Sequence, residues 1–280
     1  MSAHTSFKIG GPADLFASVK SAEETAELIR LARSLGVAYM VMGNGSNMLV
    51  GDGGIRGLVI QIGKNIADVA VDGNMITAGA GAIMSKVAAV AARASLSGFE
   101  PLSGIPGTLG GAVYMNAGAY GGEMKNVVKT VTYIDNNGDL HTVGNAECGF
   151  GYRRSVFSDG GKYIVSAVLE LQVGDEKTIR AEMDEYSRRR SEKQPLSQPS
   201  AGSTFKRPEG YFAGKLIQDA GLMGYRIGGA AVSEKHAGFV VNTGGATAED
   251  VLSLIEYIID TVEKKFGVRL EPEVRLVGER

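Results

Sequence analysis

The sequence predicts an α+β fold, and three observations lead there. Helical stretches open on capping residues and close on glycine, apolar runs of strand length are bounded by turn residues, and the two kinds of element do not alternate strictly. The chain has 280 residues, 44% of them hydrophobic, which permits a sizeable core and about two domains at ~150 residues each. The abnormal number is glycine: 40 residues, about twice the usual share of roughly 7%. With 7 prolines and no regular period, the excess fits neither a collagen repeat nor a disordered tract. Some part of the fold requires backbone without side chains.

The first element expected is a helix over 21–35. Ser21 and Glu24 form a capping box, Leu28, Leu31, Ala32 and Leu35 make the apolar stripe, and Gly36 stops it. Strands follow at 38–42 and 57–62, around the turn Gly43-Asn44-Gly45-Ser46-Asn47. Short strands with a turn at Asp72-Gly73-Asn74 fill 66–80, and an alanine-rich helix covers 84–96, stopping at Gly98. Residues 98–122 hold the densest glycine run and too little charge for a solvated linker. A hairpin is expected across 127–143 around Asp135-Asn136-Asn137-Gly138-Asp139, then a strand at 163–173. Residues 175–193 read as a charged helix with Ile179, Met183 and Tyr186 as its inner stripe, ending before Pro195. The breaker-rich 195–199 marks a domain junction. Beyond it come a short helix at 213–220, a strand at 237–242, a long helix at 248–266 between the Thr247 cap and Gly267, and a closing strand at 268–277.

Charge and cysteine content exclude several classes. A net charge of -2 offers no electrostatic footprint for nucleic acid, whose binding is dominated by phosphate neutralisation. No apolar stretch is long enough to span a bilayer, and the N-terminal residues do not read as a secretory signal. The single cysteine, Cys148, rules out an internal disulfide and a multi-cysteine metal site; it reads as a partly buried small residue. A reducing, cytoplasmic location is expected, with no metal, no membrane insertion and no obligate protein partner.

Five segments can carry chemistry. Gly43-Asn44-Gly45-Ser46-Asn47-Met48 follows a strand, but Met48 replaces the third glycine of a dinucleotide fingerprint and no helix follows; its N–H groups can still converge on a phosphate. Ser103 to Ala112 and Asn116 to Gly122 form two glycine clusters in one segment, suited to backbone packed against a flat polycyclic or phosphate ligand. Ser203, between Gly202 and the basic pair Lys206-Arg207, is either a turn hydroxyl, a nucleophile or a proton donor. His4, His141 and His236 lie in no recognisable triad order. Tyr152-Arg153-Arg154-Ser155 and Leu270-Glu271-Pro272-Glu273-Val274-Arg275 read as surface charge or as a cleft; period-two alternation sets Glu271, Glu273 and Arg275 on one strand face.

Taken in order, these segments resemble the UDP-N-acetylenolpyruvoylglucosamine reductase family, flavoenzymes of peptidoglycan precursor synthesis. The resemblance runs through His4-Thr5-Ser6-Phe7-Lys8-Ile9-Gly10-Gly11-Pro12-Ala13, 43–49, 104–122, Tyr152-Arg153, 202–206, Gly228-Gly229-Ala230 and 271–278. Each motif alone is weak; their order along nearly the whole chain is specific. The direct step from Gly-Gly-Ala to Ser233-Glu234-Lys235-His236 is similar to the shorter family type, which lacks a tyrosine-bearing lid insertion.

The resemblance implies an FAD-binding fold of the vanillyl-alcohol-oxidase (PCMH) type with a C-terminal α+β substrate-binding domain. The FAD-binding domain would span 1–173, as α/β subdomains of about 1–63 and 64–173; the substrate domain would span 174–280, its last strand packing back toward the flavin. It implies non-covalent FAD, NADPH as co-substrate, and reduction of the enolpyruvyl group of a UDP-sugar to the lactyl ether of UDP-N-acetylmuramate. Such an enzyme serves peptidoglycan synthesis, and through it cell-wall biogenesis, cell shape and division. Gly43, Asn44, Gly45, Ser46 and Asn47 would hold the cofactor's pyrophosphate; Gly104, Ile105, Pro106, Gly107, Thr108, Gly110, Gly111, Asn116, Gly118, Ala119 and Tyr120 would line the rest of it. Ser203 matches the family's proton donor, Glu273 its catalytic glutamate, and Arg153 a cation that supports an enolate-like state. A glutamate beside that anion calls for a proton of its own or a neighbouring cation. Lys193 resembles the family lysine that meets the substrate; Tyr152, Lys206, Tyr225, Lys235 and His236 are further substrate candidates. Arg207 departs from the asparagine of some members. A flavin oxidase of the same cofactor fold, or a sugar-nucleotide binding protein without chemistry, are the competing readings.

Overall fold

The computed structural model describes residues 1–280, and the α+β class expected from the sequence is what the chain adopts. It gathers into two compact units, neither made of one continuous stretch. The larger comprises Leu15–Asn44 and Gly57–Arg190; the smaller comprises Met1–Asp14, Gly45–Arg56 and Ser191–Arg280.

In the larger unit, helix α1 (Ala22–Ser34) begins at Ser21, whose side chain accepts from the Glu24 N–H, the expected cap. Strand Tyr39–Met42 then pairs in parallel with Ile55–Gln61, in the register Tyr39 to Leu58. A five-stranded antiparallel sheet follows the order Leu140–Gly144, Val128–Asp135, Lys162–Glu170, Met75–Gly79, Val69–Asp72. Helix α2 (Met84–Arg93) buries Val87, Ala88, Ala91 and Ala92 in the core of this unit. It ends earlier than the sequence suggests because Ser95 turns to a left-handed φ of 55°. Helix α3 (Leu109–Tyr114), unexpected in a glycine run, exists because its first N–H groups find partners outside the helix: Leu109 donates to the Ala82 carbonyl and Gly110 to that of Ala80, both at 2.8 Å. Helix α4 (Glu176–Lys193) is the expected charged helix, with Ile179 and Arg190 its buried residues. Cys148 is fully buried rather than partly, its Sγ directed at the Gly144 carbonyl, and burial pushes its thiol up to about 11.

The smaller unit has its own core, in which Phe7, Ile9 and Leu49 from early chain segments pack with residues of helices α5 (Ala213–Asp219) and α6 (Ala248–Phe266). A three-stranded sheet runs Arg226–Ile227, Ala230–Val232, Val240–Asn242. Thr247 caps α6 by accepting from the Asp250 N–H, and the Asp52 carboxylate receives the Ala248 and Glu249 N–H groups at 2.8 and 3.1 Å. The closing strand is much shorter than 268–277. Only Arg275–Val277 forms a ladder, parallel to Met48–Val50, because Pro272 interrupts the edge and 271–273 bonds instead to the 204–206 segment. The single strand face expected for Glu271, Glu273 and Arg275 is therefore not formed. No helix of the structure is long and apolar enough to cross a membrane.

Candidate active site

The two glycine clusters meet in the larger unit. A Cβ added to Gly43, at the end of strand Tyr39–Met42, would lie 2.3 Å from Thr108 Oγ1, so this strand end can approach the start of α3 only as glycine. Gly110 is equally constrained: its added Cβ would stand 2.8 Å from the Ala80 Cβ. Gly111, one residue on, is exposed and would meet only Thr108 Oγ1, at 3.7 Å. One glycine of the pair is packed on protein and the other leaves bare backbone facing outward. Gly107 takes a φ of 112°, and its carbonyl receives the Met84 N–H at 3.3 Å; exposed Pro106 and half-buried Ile105 precede it. Gly45 and Ser46 sit in the smaller unit, where their carbonyls are engaged by Ser6. A trans peptide points its C=O and the following N–H in opposite directions, so the Ser46 and Asn47 N–H groups face away from Ser6.

Gly104 lies under the side chain of Arg190, whose Nε would be 3.3 Å from an added Cβ. Arg190 is 9% exposed, donates from Nη1 to the Gly104 carbonyl, and leaves its buried Nε without a partner. Burial pulls its guanidinium below the usual arginine range, while a hydrogen bond with Tyr120 opposes this. Tyr120 and Gly121 are the two left-handed residues of a tight hairpin between Gly118–Ala119 and Gly122–Glu123. The Tyr120 ring stacks on Tyr186 of α4, 4.7 Å between centroids. Arg190 was not among the residues singled out from sequence, yet the stripe Ile179, Met183, Tyr186 continues to it at helical spacing. Gly118 is explained locally, since an added Cβ would meet the Gly122 carbonyl at 2.7 Å.

Asn116 is fully buried at a φ of 45°, and its side chain is committed within the protein. Nδ2 donates to Glu123 Oε2 at 3.0 Å and to the Gly151 carbonyl at 2.9 Å; Oδ1 accepts from the Lys125 N–H at 2.9 Å. Its amide thus shapes the loop and has no further donor to offer a cofactor. Arg153, two residues past Gly151, is also left-handed, φ 54°, with its guanidinium carbon 5.0 Å from the centroid of the exposed Tyr152 ring.

In the smaller unit, exposed Ser203 follows Gly202 at φ 78° and precedes buried Thr204. The Thr204 carbonyl accepts the Glu273 N–H at 2.8 Å, and Asn47 Nδ2 donates to the Glu273 carbonyl at 3.2 Å. These bonds set the segment that carries Ser203 beside that of Glu273, and Asn47 against Glu273. Lys206 pairs through Nζ with Glu271, and its N–H donates to the Glu271 carbonyl. Lys193, Lys235 and His236 form a second group: Lys235 Nζ reaches the Ser191 carbonyl at 2.5 Å, and His236 Nδ1 accepts from the Gly238 N–H at 3.1 Å. Burial foremost, and the charge of Lys193, hold His236 below the usual histidine range. Tyr225 instead stacks on Tyr257 of α6, at 4.4 Å and 9°.

Residues 13–144 match the family model described as an FAD binding domain, and 194–277 match that of the UDP-N-acetylenolpyruvoylglucosamine reductase C-terminal domain. The chain is 52% identical over 280 residues to a Caldanaerobacter subterraneus protein named UDP-N-acetylenolpyruvoylglucosamine reductase, covering 100% of this chain and 92% of that protein. A protein of the same name from Lachnoclostridium phytofermentans is 51% identical, with the same coverage. The chain belongs to the UDP-N-acetylenolpyruvoylglucosamine reductase family. The solved structure of the Thermus caldophilus reductase superposes with a TM-score of 0.85 at 37% identity, covering 98% of this chain and 96% of that one.

The larger unit fits the FAD that this family and the domain match call for. Gly43 against Thr108 joins the two glycine segments, Gly111 and Gly104 are exposed backbone beside them, and the buried Arg190 Nε needs an acceptor that the protein does not supply.

Proposed function

We propose that this protein reduces the enolpyruvyl group of UDP-N-acetylglucosamine enolpyruvate to UDP-N-acetylmuramate, using NADPH and non-covalent FAD, in peptidoglycan synthesis in the cytoplasm. Membership of the reductase family over the whole chain supports the overall reaction. For the residue roles, one observation carries most: the Glu273 N–H bonded to the Thr204 carbonyl at 2.8 Å ties the glutamate segment to that of Ser203.

When bound, FAD would supply the redox chemistry, with hydride drawn from NADPH and delivered to the terminal vinyl carbon of the substrate. The chain's own residues do the rest. Gly43 and Asn44, continuing into Gly45, Ser46 and Asn47, offer N–H groups to the pyrophosphate. Residues 104–111, with Ala119 and Tyr120, line the remaining cofactor, and Arg190 donates to it from Nε. Hydride addition leaves negative charge spread into the substrate carboxylate, which the planar cation of Arg153 supports. Ser203 delivers the proton to the adjacent carbon, and Glu273, whose segment is bonded to that of Ser203, assists its reprotonation. Lys193, Lys235, His236, Lys206, Tyr152 and Tyr225 are assigned to the sugar nucleotide. Functionally we divide the chain at 173/174, flavin before and substrate after, with Arg190 the exception; the two family matches fall on either side of this division.

The test is anaerobic. Ser203→Ala should bleach normally with NADPH but reoxidise with the enolpyruvyl sugar nucleotide about 100-fold more slowly, the typical loss for a missing general acid. Equal loss of both half-reactions would remove Ser203 from proton transfer. If the sugar nucleotide fails to reoxidise the wild-type protein, the reaction itself is misassigned.

A further inference from the structure

Two residues of the glycine segment, Tyr114 and Asn116, hold the loop 151–155 at both ends. At one end the buried Asn116 amide donates to the Gly151 carbonyl at 2.9 Å. At the other, Ser155, 0% exposed, donates from Oγ to the Tyr114 carbonyl at 2.6 Å. Tyr114 and Asn116 are the end of α3 and the second residue beyond it, so both anchors are set by one short stretch of chain. A bridge between Gly151 and Arg154 closes the loop over Tyr152 and Arg153, and Arg153 is held there at a φ of 54°. A left-handed arginine persists only where its surroundings over-determine the backbone.

Asn116 is suited to this task. It too is left-handed, φ 45°, a conformation asparagine tolerates better than most residues. Its second Nδ2 proton goes to Glu123 Oε2 at 3.0 Å, and Glu123 also pairs with Lys125 at 2.8 Å. These bonds hold the Glu123 carboxylate below the usual glutamate range, the Lys125 bond being the largest cause and the Asn116 bond a further one, and the positive charge of Arg153 acts in the same direction. The Asn116 amide therefore stands at the junction of the hairpin that carries Tyr120 and the loop that carries Arg153, with every donor committed.

We propose that Asn116 and Ser155 are positioning residues for Arg153, fixing its backbone so that the guanidinium meets the substrate carboxylate without reorganising during the reaction. This differs from the cofactor contact expected for Asn116 from sequence. It rests on the reading that Arg153 supports the substrate anion. Loss of one anchor frees the loop to relax out of its left-handed turn, and the cation then has to be ordered at each turnover.

The test uses the FAD-loaded protein with Asn116→Asp, Ser155→Ala, Arg153→Lys and the double variants with Arg153→Lys. Asp keeps the acceptor for the Lys125 N–H and the tolerance of a left-handed φ, and loses both donors. NADPH reduction and FAD affinity should stay within about twofold of wild type, while reoxidation by the enolpyruvyl substrate slows about tenfold, as for a lost buried hydrogen bond felt in the transition state. In the Arg153→Lys background the same changes should cost little more, because the anchored group is already gone. If Arg153→Lys reoxidises at the wild-type rate, it is the reading of Arg153 that fails. If Arg153→Lys is slow while Asn116→Asp and Ser155→Ala both match wild type, the positioning role is overturned. It is equally overturned if Asn116→Asp loses FAD about tenfold more readily, the mark of a direct cofactor contact. Should Asn116→Asp not fold, Ser155→Ala decides alone, since its Oγ is what holds the loop to the Tyr114 carbonyl.

Discussion

At the scale of single residues, glycine divides into two kinds that composition cannot separate. Gly43 and Gly110 are required by protein packing, their added Cβ atoms falling 2.3 Å from Thr108 Oγ1 and 2.8 Å from the Ala80 Cβ. Gly111 is not, having only Thr108 Oγ1 within reach at 3.7 Å. Gly111→Ala therefore gives opposite outcomes for fold and ligand. In the apoprotein it should leave the melting temperature unchanged or slightly raised, since alanine in a helix is favoured over glycine by about 0.5–1 kcal/mol. FAD affinity should fall at least about tenfold as a methyl group enters the cofactor's side of the turn. A titration of apoprotein with FAD that matches wild type would place the cofactor elsewhere. The close approach of the glycine run is legible because missing side chains are visible in sequence. Asn116 shows the other side of this: a polar residue among glycines reads as a ligand in sequence, while its burial and three internal side-chain bonds are visible only in the fold. Arg190 was hidden in a run of three arginines, where charge masks an inward-facing position.

At the scale of elements, those whose ends are written in local chemistry were legible, as with α1 at Ser21 and α6 between Thr247 and Gly267. Those built by distant partners were not. Helix α3 depends on carbonyls of Ala80 and Ala82, and the closing strand was cut to Arg275–Val277 by the pairing of 271–273 with 204–206. The α6 cap carries a pH dependence. Asp250 accepts from the N–H groups of Gly229 and Thr247, and the Gly229 bond foremost holds its carboxyl below the ordinary aspartate value. A carboxyl whose folded pKa is depressed binds its proton more readily unfolded, so its stabilisation is present above the unfolded pKa and is lost as pH falls through the folded one. Acidification below the ordinary carboxylate range should thus destabilise the wild type more than Asp250→Asn, measured as urea midpoints at several pH values. Parallel curves would assign the acid sensitivity to other groups. At neutral pH, Thr247→Ala should cost about 1 kcal/mol, the usual worth of such a cap.

At the scale of the whole molecule, the chain is not divisible at the junction that its prolines suggest. The breaker-rich 195–199 reads as a boundary, and the C-terminal family match begins at 194. Yet the core that contains α5 and α6 also contains Phe7, Ile9 and Leu49, buried to 1%, 2% and 0% exposure. The ladder of Arg275–Val277 needs Met48–Val50, and the α6 N-terminus needs Asp52. No local pattern announces these partners, because contacts between residues some 200 positions apart leave no period in the sequence. A fragment of residues 191–280 would therefore expose the apolar surface that those three side chains cover. At about 1.5–3 kcal/mol for each large buried side chain, the loss approaches the 5–15 kcal/mol that holds a typical domain together. The isolated fragment should show no cooperative melt, and adding a peptide of residues 1–56 should restore helical signal and a transition in proportion to the peptide bound. A fragment that melts cooperatively by itself would show that the early segments decorate a self-sufficient core and do not complete it.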